Sequence, residues 1–135
     1  MPPAAALARF RGDLYLLDAK AQPPTRIGDP FVLRLSWAAG LSPTTDYTVF
    51  VHLVDSAGQT LAQQDQQPQA GRYPTSIWEP GELVSDTLQI KVPASASGQI
   101  VCLQLGLYDA GNMTRLPRTD APTDFWQPAD CWSLP

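Results

Sequence analysis

The chain has 135 residues, only 16% of them charged, with a formal net charge of −4, which is enough for one domain with its own core. The acidic balance excludes a nucleic-acid partner, which needs a basic face to displace phosphate counterions, and equally an anionic membrane surface. Fourteen prolines and nine glycines leave little room for a long helix, because proline lacks the backbone donor and collides with the preceding turn; no apolar run approaches the about 20 residues that insert across a bilayer.

The first ten residues, MPPAAALARF, have neither the charged n-region nor the sustained apolar h-region of a signal peptide. Residues 1–9 read as the tail of a Pro/Ala linker, and 10–135 as the domain. DLYLLDA (13–19) is a first strand. In FVLRLSW (31–37), Phe31, Leu33, Leu35 and Trp37 alternate with Val32, Arg34 and Ser36, the period of a half-buried strand with Trp37 in the core. DYTVFVHLVD (46–55) is apolar on both faces, as a central strand requires. DSAG (55–58) supplies a type I turn with glycine in the left-handed position, and QTLAQQD returns.

From Asp65 to Gly81 the alternation stops. LVSDTLQIKVP then puts Val84, Leu88, Ile90 and Val92 on one face, with Pro93 ending the ladder. QIVCLQLGLYD follows, with Gly106 predicting a bulge or kink, and DAGN (109–112) is a further turn. Short pieces around Arg115–Leu116 and Cys131–Leu134 complete the set. Seven to nine short strands separated by turns predict a single all-β antiparallel sandwich, Ig-like or jelly-roll.

Chemistry-bearing residues are few. The one histidine, His52, sits mid-strand between Phe50 and Val54, the setting of a packed residue rather than a catalytic base. Glu79 and Glu82 flank Pro80–Gly81, the centre of a type II turn, where carboxylates are ordinarily solvated; no carboxylate pair for glycoside hydrolysis is implied. TDAPTD and DAGN lack the spacing of a calcium loop, and no metal or cofactor is called for. Asp86 falls on the core face of its strand, so it must be hydrogen-bonded, to donors of the 71–81 loop, to Arg72 or to an indole. Cys102 and Cys131 have no metal-ligand spacing and are either one disulfide or two buried thiols.

The stretch GRYPTSIWEPGELVSD (71–86) admits two readings. Its prolines, with Tyr73–Pro74 a candidate cis bond, pre-order the loop. Trp78 then either packs inward with Ile77 as a lid on the core, or stands with Tyr73, Glu79, Gln66 and Gln67 as a platform for a sugar. The first is favoured.

DYTVFVHLVDSAGQTLAQQDQQP, GRYPTSIWEPGELVSDTLQIKVP and LGLYDAGNMTRLP, in that order, resemble the C-terminal sandwich domain of bacterial membrane glycosyltransferases of the dolichyl-phosphate-mannose mannosyltransferase-like class, and its tethered relatives. The match rests on Tyr47–Asp55, Gly58, Gln64–Asp65, Pro74–Thr75 and Trp78–Glu82; DFWQPADCWSLP and both cysteines depart from it. The resemblance implies an extracytoplasmic, non-catalytic accessory domain whose partner is a glycan or the membrane domain of a parent protein. It carries no catalytic residue over. The alternative is a carbohydrate-binding module using loop aromatics; an enzyme is disfavoured.

Overall fold

The computed structural model describes residues 6–135. Residues 1–5, most of the expected linker, lie outside the described residues. Ala8 and Arg9, placed in that linker by their composition, belong instead to a strand. Among the described residues the strands are β1 (Ala8–Phe10), β2 (Leu14–Gln22), β3 (Phe31–Ala39), β4 (Tyr47–Val54), β5 (Thr60–Gln66), β6 (Val84–Ile90), β7 (Ile100–Asp109), β8 (Thr114–Arg115) and β9 (Trp132–Ser133).

Two antiparallel sheets face each other. One has the order β1-β2-β3-β6 and the other β5-β4-β7-β8, with β9 also pairing with β7. An immunoglobulin-like sandwich pairs its second and fifth strands in one sheet and its third, sixth and seventh in the other. With β2 as the first strand, β3–β6 and β4–β7–β8 reproduce that order, so of the two expected topologies the chain adopts the Ig-like one.

The inner faces are the alternating residues. Phe31, Leu33, Leu35 and Trp37 of β3 are buried, as are Val49, Val51 and Leu53 of β4 and Val101, Leu103, Leu105 and Leu107 of β7. β4 is paired on both edges, and on its outer face Phe50 is buried beneath the Arg115 guanidinium. Gly58 (φ +81°) closes the β4–β5 turn by donating to the Asp55 carbonyl at 3.0 Å, and Asp55 Oδ1 accepts from the N–H groups of Ala57 and Gln59. Gly106 makes no bulge. It stays in the ladder opposite Phe50, and its missing side chain serves packing, since a Cβ there would meet the Phe50 ring at 2.7 Å.

The tail after β8 closes one side of the sandwich with backbone. Arg11 N–H donates to Pro117 O at 2.9 Å and Thr119 N–H to Arg9 O at 2.8 Å, so the chain crosses to β1; it then returns to β7, where Trp126 and Leu105 exchange two bonds of 2.7 and 3.0 Å. Cys102 and Cys131 are bridged, with Cα atoms 4.5 Å apart. On the opposite side β5 and β6 are not paired. The connection between them, 67–83, fills that gap and contains the stretch the sequence singles out.

Candidate functional site

The 67–83 connection is built on two tight turns, a left-handed one at Pro68–Gly71 and a single turn of 3-10 helix at Thr75–Ile77. Thr75, fully buried, fixes the second. Its hydroxyl donates to Thr45 O at 2.6 Å and accepts from Tyr47 N–H at 3.0 Å. Asp46 Oδ1 accepts from Ser76 N–H at 3.1 Å. A 3-10 turn rotates about 120° per residue, so the side chains on either side of its end diverge. Trp78 turns inward and is 1% exposed; Ile77, expected to pack beside it, turns outward and is 53% exposed.

Trp78 Nε1 donates to the Tyr73 carbonyl at 2.8 Å, which satisfies the one polar atom of the buried indole. Tyr73 is half-buried. Its hydroxyl donates to Glu82, with oxygens at 2.6 and 2.8 Å, and Glu82 Oε1 also accepts from Glu79 N–H at 3.0 Å. The hydrogen bond from Tyr73, then that backbone N–H, hold the Glu82 carboxyl below the usual range, while the same bond pushes the Tyr73 phenol up. Pro80–Gly81 is the centre of the expected turn, with Gly81 at φ +80°, Glu82 N–H on Glu79 O at 3.1 Å and Gly81 N–H on Ala39 O at 2.8 Å. Tyr73–Pro74 is trans, as are all described peptide bonds. The inward-packed lid is thus the arrangement found, and the alternative sugar platform of Tyr73 and Trp78 is not assembled: one indole lies in the core, and the phenol is tied to Glu82. Glu79 is exposed at the turn.

The first turn carries the strain. Gln69 (φ 55°) and Ala70 (φ 57°) are both left-handed and precede Gly71 (φ 86°); non-glycine residues adopt that region at a cost and need a compensating anchor. Asp86 supplies it. The carboxylate is 4% exposed, and Oδ1 accepts from Gln69 N–H at 2.9 Å and Thr87 N–H at 3.0 Å. The anchor thus lies at Gln69, two residues before the loop where donors were expected, and involves neither Arg72 nor an indole. Oδ2 is buried without a donor in hydrogen-bonding geometry. Burial pushes the Asp86 carboxyl up; the Gln69 and Thr87 amides oppose this, and the Gln66 side chain, close but not closing a bond, opposes it less.

Beside this anchor the free edge of β6 is covered by glutamine side chains. Gln69 Nε2 donates to Ser85 O at 3.0 Å and Gln66 Nε2 to Thr87 O at 3.4 Å. Gln66, Gln69, Arg72, Ser85, Thr87 and Gln89 line an open, amide-rich depression there. Gln67 precedes the first turn and makes no capping bond with its side chain.

On the outer face of the other sheet, register brings together a cluster that no local motif announces. His52, Asp65 and Tyr108 come from β4, β5 and β7, and Arg115 from β8. The Arg115 guanidinium lies 4.1 Å from the centre of the Phe50 ring and pairs with Asp124 at 3.3 Å. Tyr108 donates to Asp65 Oδ2 at 3.0 Å. His52 Nδ1 is 3.5 Å from Thr60 Oγ1; burial first, then Arg115, push its pKa down, against Asp65. The hydroxyl nearest His52 is that of exposed Thr60, and neither serine nor cysteine lines the cluster among the described residues. Among the described residues no three His, Cys, Asp or Glu side chains gather as a metal site would need.

No protein-family model matches the chain, and no curated protein matches it in sequence. Solved structures do match in fold. A β-glucuronidase from glycoside hydrolase family 2 aligns over 74% of this chain and 10% of its own, with a TM-score of 0.54 and 6% identity. A glycosyl hydrolase family 2 member from Bacteroides cellulosilyticus DSM 14838 aligns over 83% of this chain and 15% of its own, with a TM-score of 0.55 and 12% identity. At these identities the likeness is one of sandwich fold, and the chain spans a small part of either enzyme.

Proposed function

We propose that the chain is a non-catalytic accessory domain of a larger glycan-processing protein, a membrane glycosyltransferase by the resemblance of residues 46–68, 71–93 and 105–117, working on the extracytoplasmic side. The observation that carries the reading is the inward fold of the 67–83 connection. Its two aromatic side chains, Glu82 and Thr75 are spent on one another and on the core: Trp78 on Tyr73 O, Tyr73 on Glu82, Thr75 on Thr45 O. A sandwich of this shape within larger glycoside hydrolases supports a modular part in carbohydrate chemistry, though it carries none of their activity over.

Two measurements test it. The isolated chain is expected to leave fluorogenic aryl glycosides intact, and deletion of residues 10–135 from the full-length parent is expected to lower glycosyl transfer in membranes. Turnover by the isolated chain, or a parent indifferent to the deletion, overturns the reading.

A further inference from the structure

From Phe31 to Trp37 the inner positions of β3 are filled by large side chains, but β2 departs from that rule. After Leu14 and Leu16, its inward residues are Ala19 and Ala21, half-buried and opposite Leu35 and Leu33. Facing sheets stand about 10 Å apart and are bridged by side chains from both, so two consecutive inward methyls leave volume unfilled. β1 begins at Ala8, opposite Leu16, so among the described residues no strand pairs with β2 beside Ala19 and Ala21 on that edge.

The tail walls this gap without filling it. Trp126, Pro128, Asp130 and Trp132 stand over Ala19, Ala21, Leu33 and Leu103 around a crevice of about 230 Å³. Both indoles are half-buried. The wall is tied to β7 at three places: the Trp126–Leu105 backbone pair, the Cys131–Cys102 bridge and the Trp132–Val101 pair. Trp132 is further fixed edge-on against Phe31, with centroids 5.3 Å apart.

We propose that this crevice binds a single neutral sugar ring. A pyranose presents C–H groups on its face and hydroxyls on its rim. The crevice matches that division, with indole, methyl and isobutyl groups inside and the exposed Asp130 carboxylate at the mouth to accept from hydroxyls. Among the described residues no cationic side chain lines it, which disfavours an anionic sugar or a phosphate. A carboxylate at the rim of so short a crevice disfavours a fatty acyl chain. Because both walls are held before any ligand arrives, little ordering cost opposes binding. The site uses no residue of the 67–83 connection and stands independently of the accessory role.

The test follows the four indole N–H signals of the chain (Trp 4) by NMR while methyl glycosides of glucose, galactose and mannose are added. The signals of Trp126 and Trp132 are expected to move with a dissociation constant on the order of 1 mM, the range for one ring, while those of the buried Trp37 and Trp78 stay. Ala21→Leu fills the crevice from its floor and is expected to weaken binding at least about tenfold with the buried signals unchanged. If A21L does not fold, Asp130→Asn at its exposed position carries the test, with an expected loss of about threefold. The proposal is overturned by absence of any shift, by unchanged affinity in A21L or, in its place, D130N, or by a stronger response to octanoate than to the glycosides. It can fail while the accessory reading survives, since that rests on turnover and on the parent's transfer activity.

Discussion

Phe50 and Gly106 face each other across the β4–β7 ladder, and the ring occupies the space a Cβ would need. That Cβ would fall 2.7 Å from the ring and 2.9 Å from the Asp124 carbonyl. Phe50 is 1% exposed and lies under Arg115, so neither it nor the tail can yield freely. Gly106→Ala is expected to destabilise by about 1–3 kcal/mol, the usual cost of overpacking. Urea denaturation checks it, and an unchanged midpoint would contradict the packing described.

Trp78→Ala removes a buried indole from the sandwich end and is expected to cost about 3–5 kcal/mol, as is Trp37→Ala. The discriminating readout is glycan binding. With the indole in the core, W78A should leave affinity for the methyl glycosides unaltered when measured below its melting temperature. Loss of binding with stability intact would return the 67–83 connection to the role of a ligand platform.

The Cys102–Cys131 bridge closes a loop with a sequence separation of 29. Loop-closure entropy puts its contribution at about 3.5 kcal/mol. Thiol titration of the denatured, unreduced chain should find no reactive thiol. Reduction should lower the melting temperature and release the 126–133 wall first, visible as lost amide protection there.

Two carboxyls should give opposite pH slopes. Burial raises Asp86 in the folded state, so its unfavourable contribution is absent below about pH 4, where both states are protonated, and grows as pH rises to the folded value. Glu82 is lowered; its favourable contribution is complete above about pH 4.5 and is lost as pH falls through the folded value. The melting temperature of D86N relative to the parent chain should therefore climb from about pH 4 upward. That of E82Q should fall over the rise to about pH 4.5 and then level. Parallel profiles for either variant would refute its assignment.

Removing both glutamine amides from the β6 edge, with Gln66→Ala and Gln69→Ala, leaves the Ser85 and Thr87 carbonyls open to another strand. Sedimentation should show self-association of the double variant at concentrations where the parent chain shows less. Equal masses at all concentrations would mean the amides are not what guards the edge.

The strands the sequence announces are those whose burial is local and repetitive. Phe31, Leu33, Leu35 and Trp37 declare β3 because alternation is a property of four residues read alone. β1 is silent: Ala8, Arg9 and Phe10 become a strand only because β2 and the tail bond to both of its edges. Trp78 was legible as a lid, but Ile77 was not, since adjacent residues diverge at the end of a 3-10 turn. The anchor of Asp86 depends on left-handed Gln69, a conformation with no residue signal when glycine is absent. His52, Asp65, Tyr108 and Arg115 meet through register, which a single strand does not encode. Trp126 and Trp132 lie in a tail without periodicity, and the two small residues beneath them look, in sequence, like ordinary strand alanines.

The two sides of the sandwich are closed by different materials, and they differ in what they let evolution change. The tail side is sealed by main chain and a covalent bridge, which point substitutions at most positions leave in place. The 67–83 side is sealed by side chains, two glutamine amides and one carboxylate. A pair of ordinary substitutions can uncover that strand edge without rewriting the core. One flank of the molecule is thus fixed by its chain path, while the other can acquire a new neighbour in very few mutational steps.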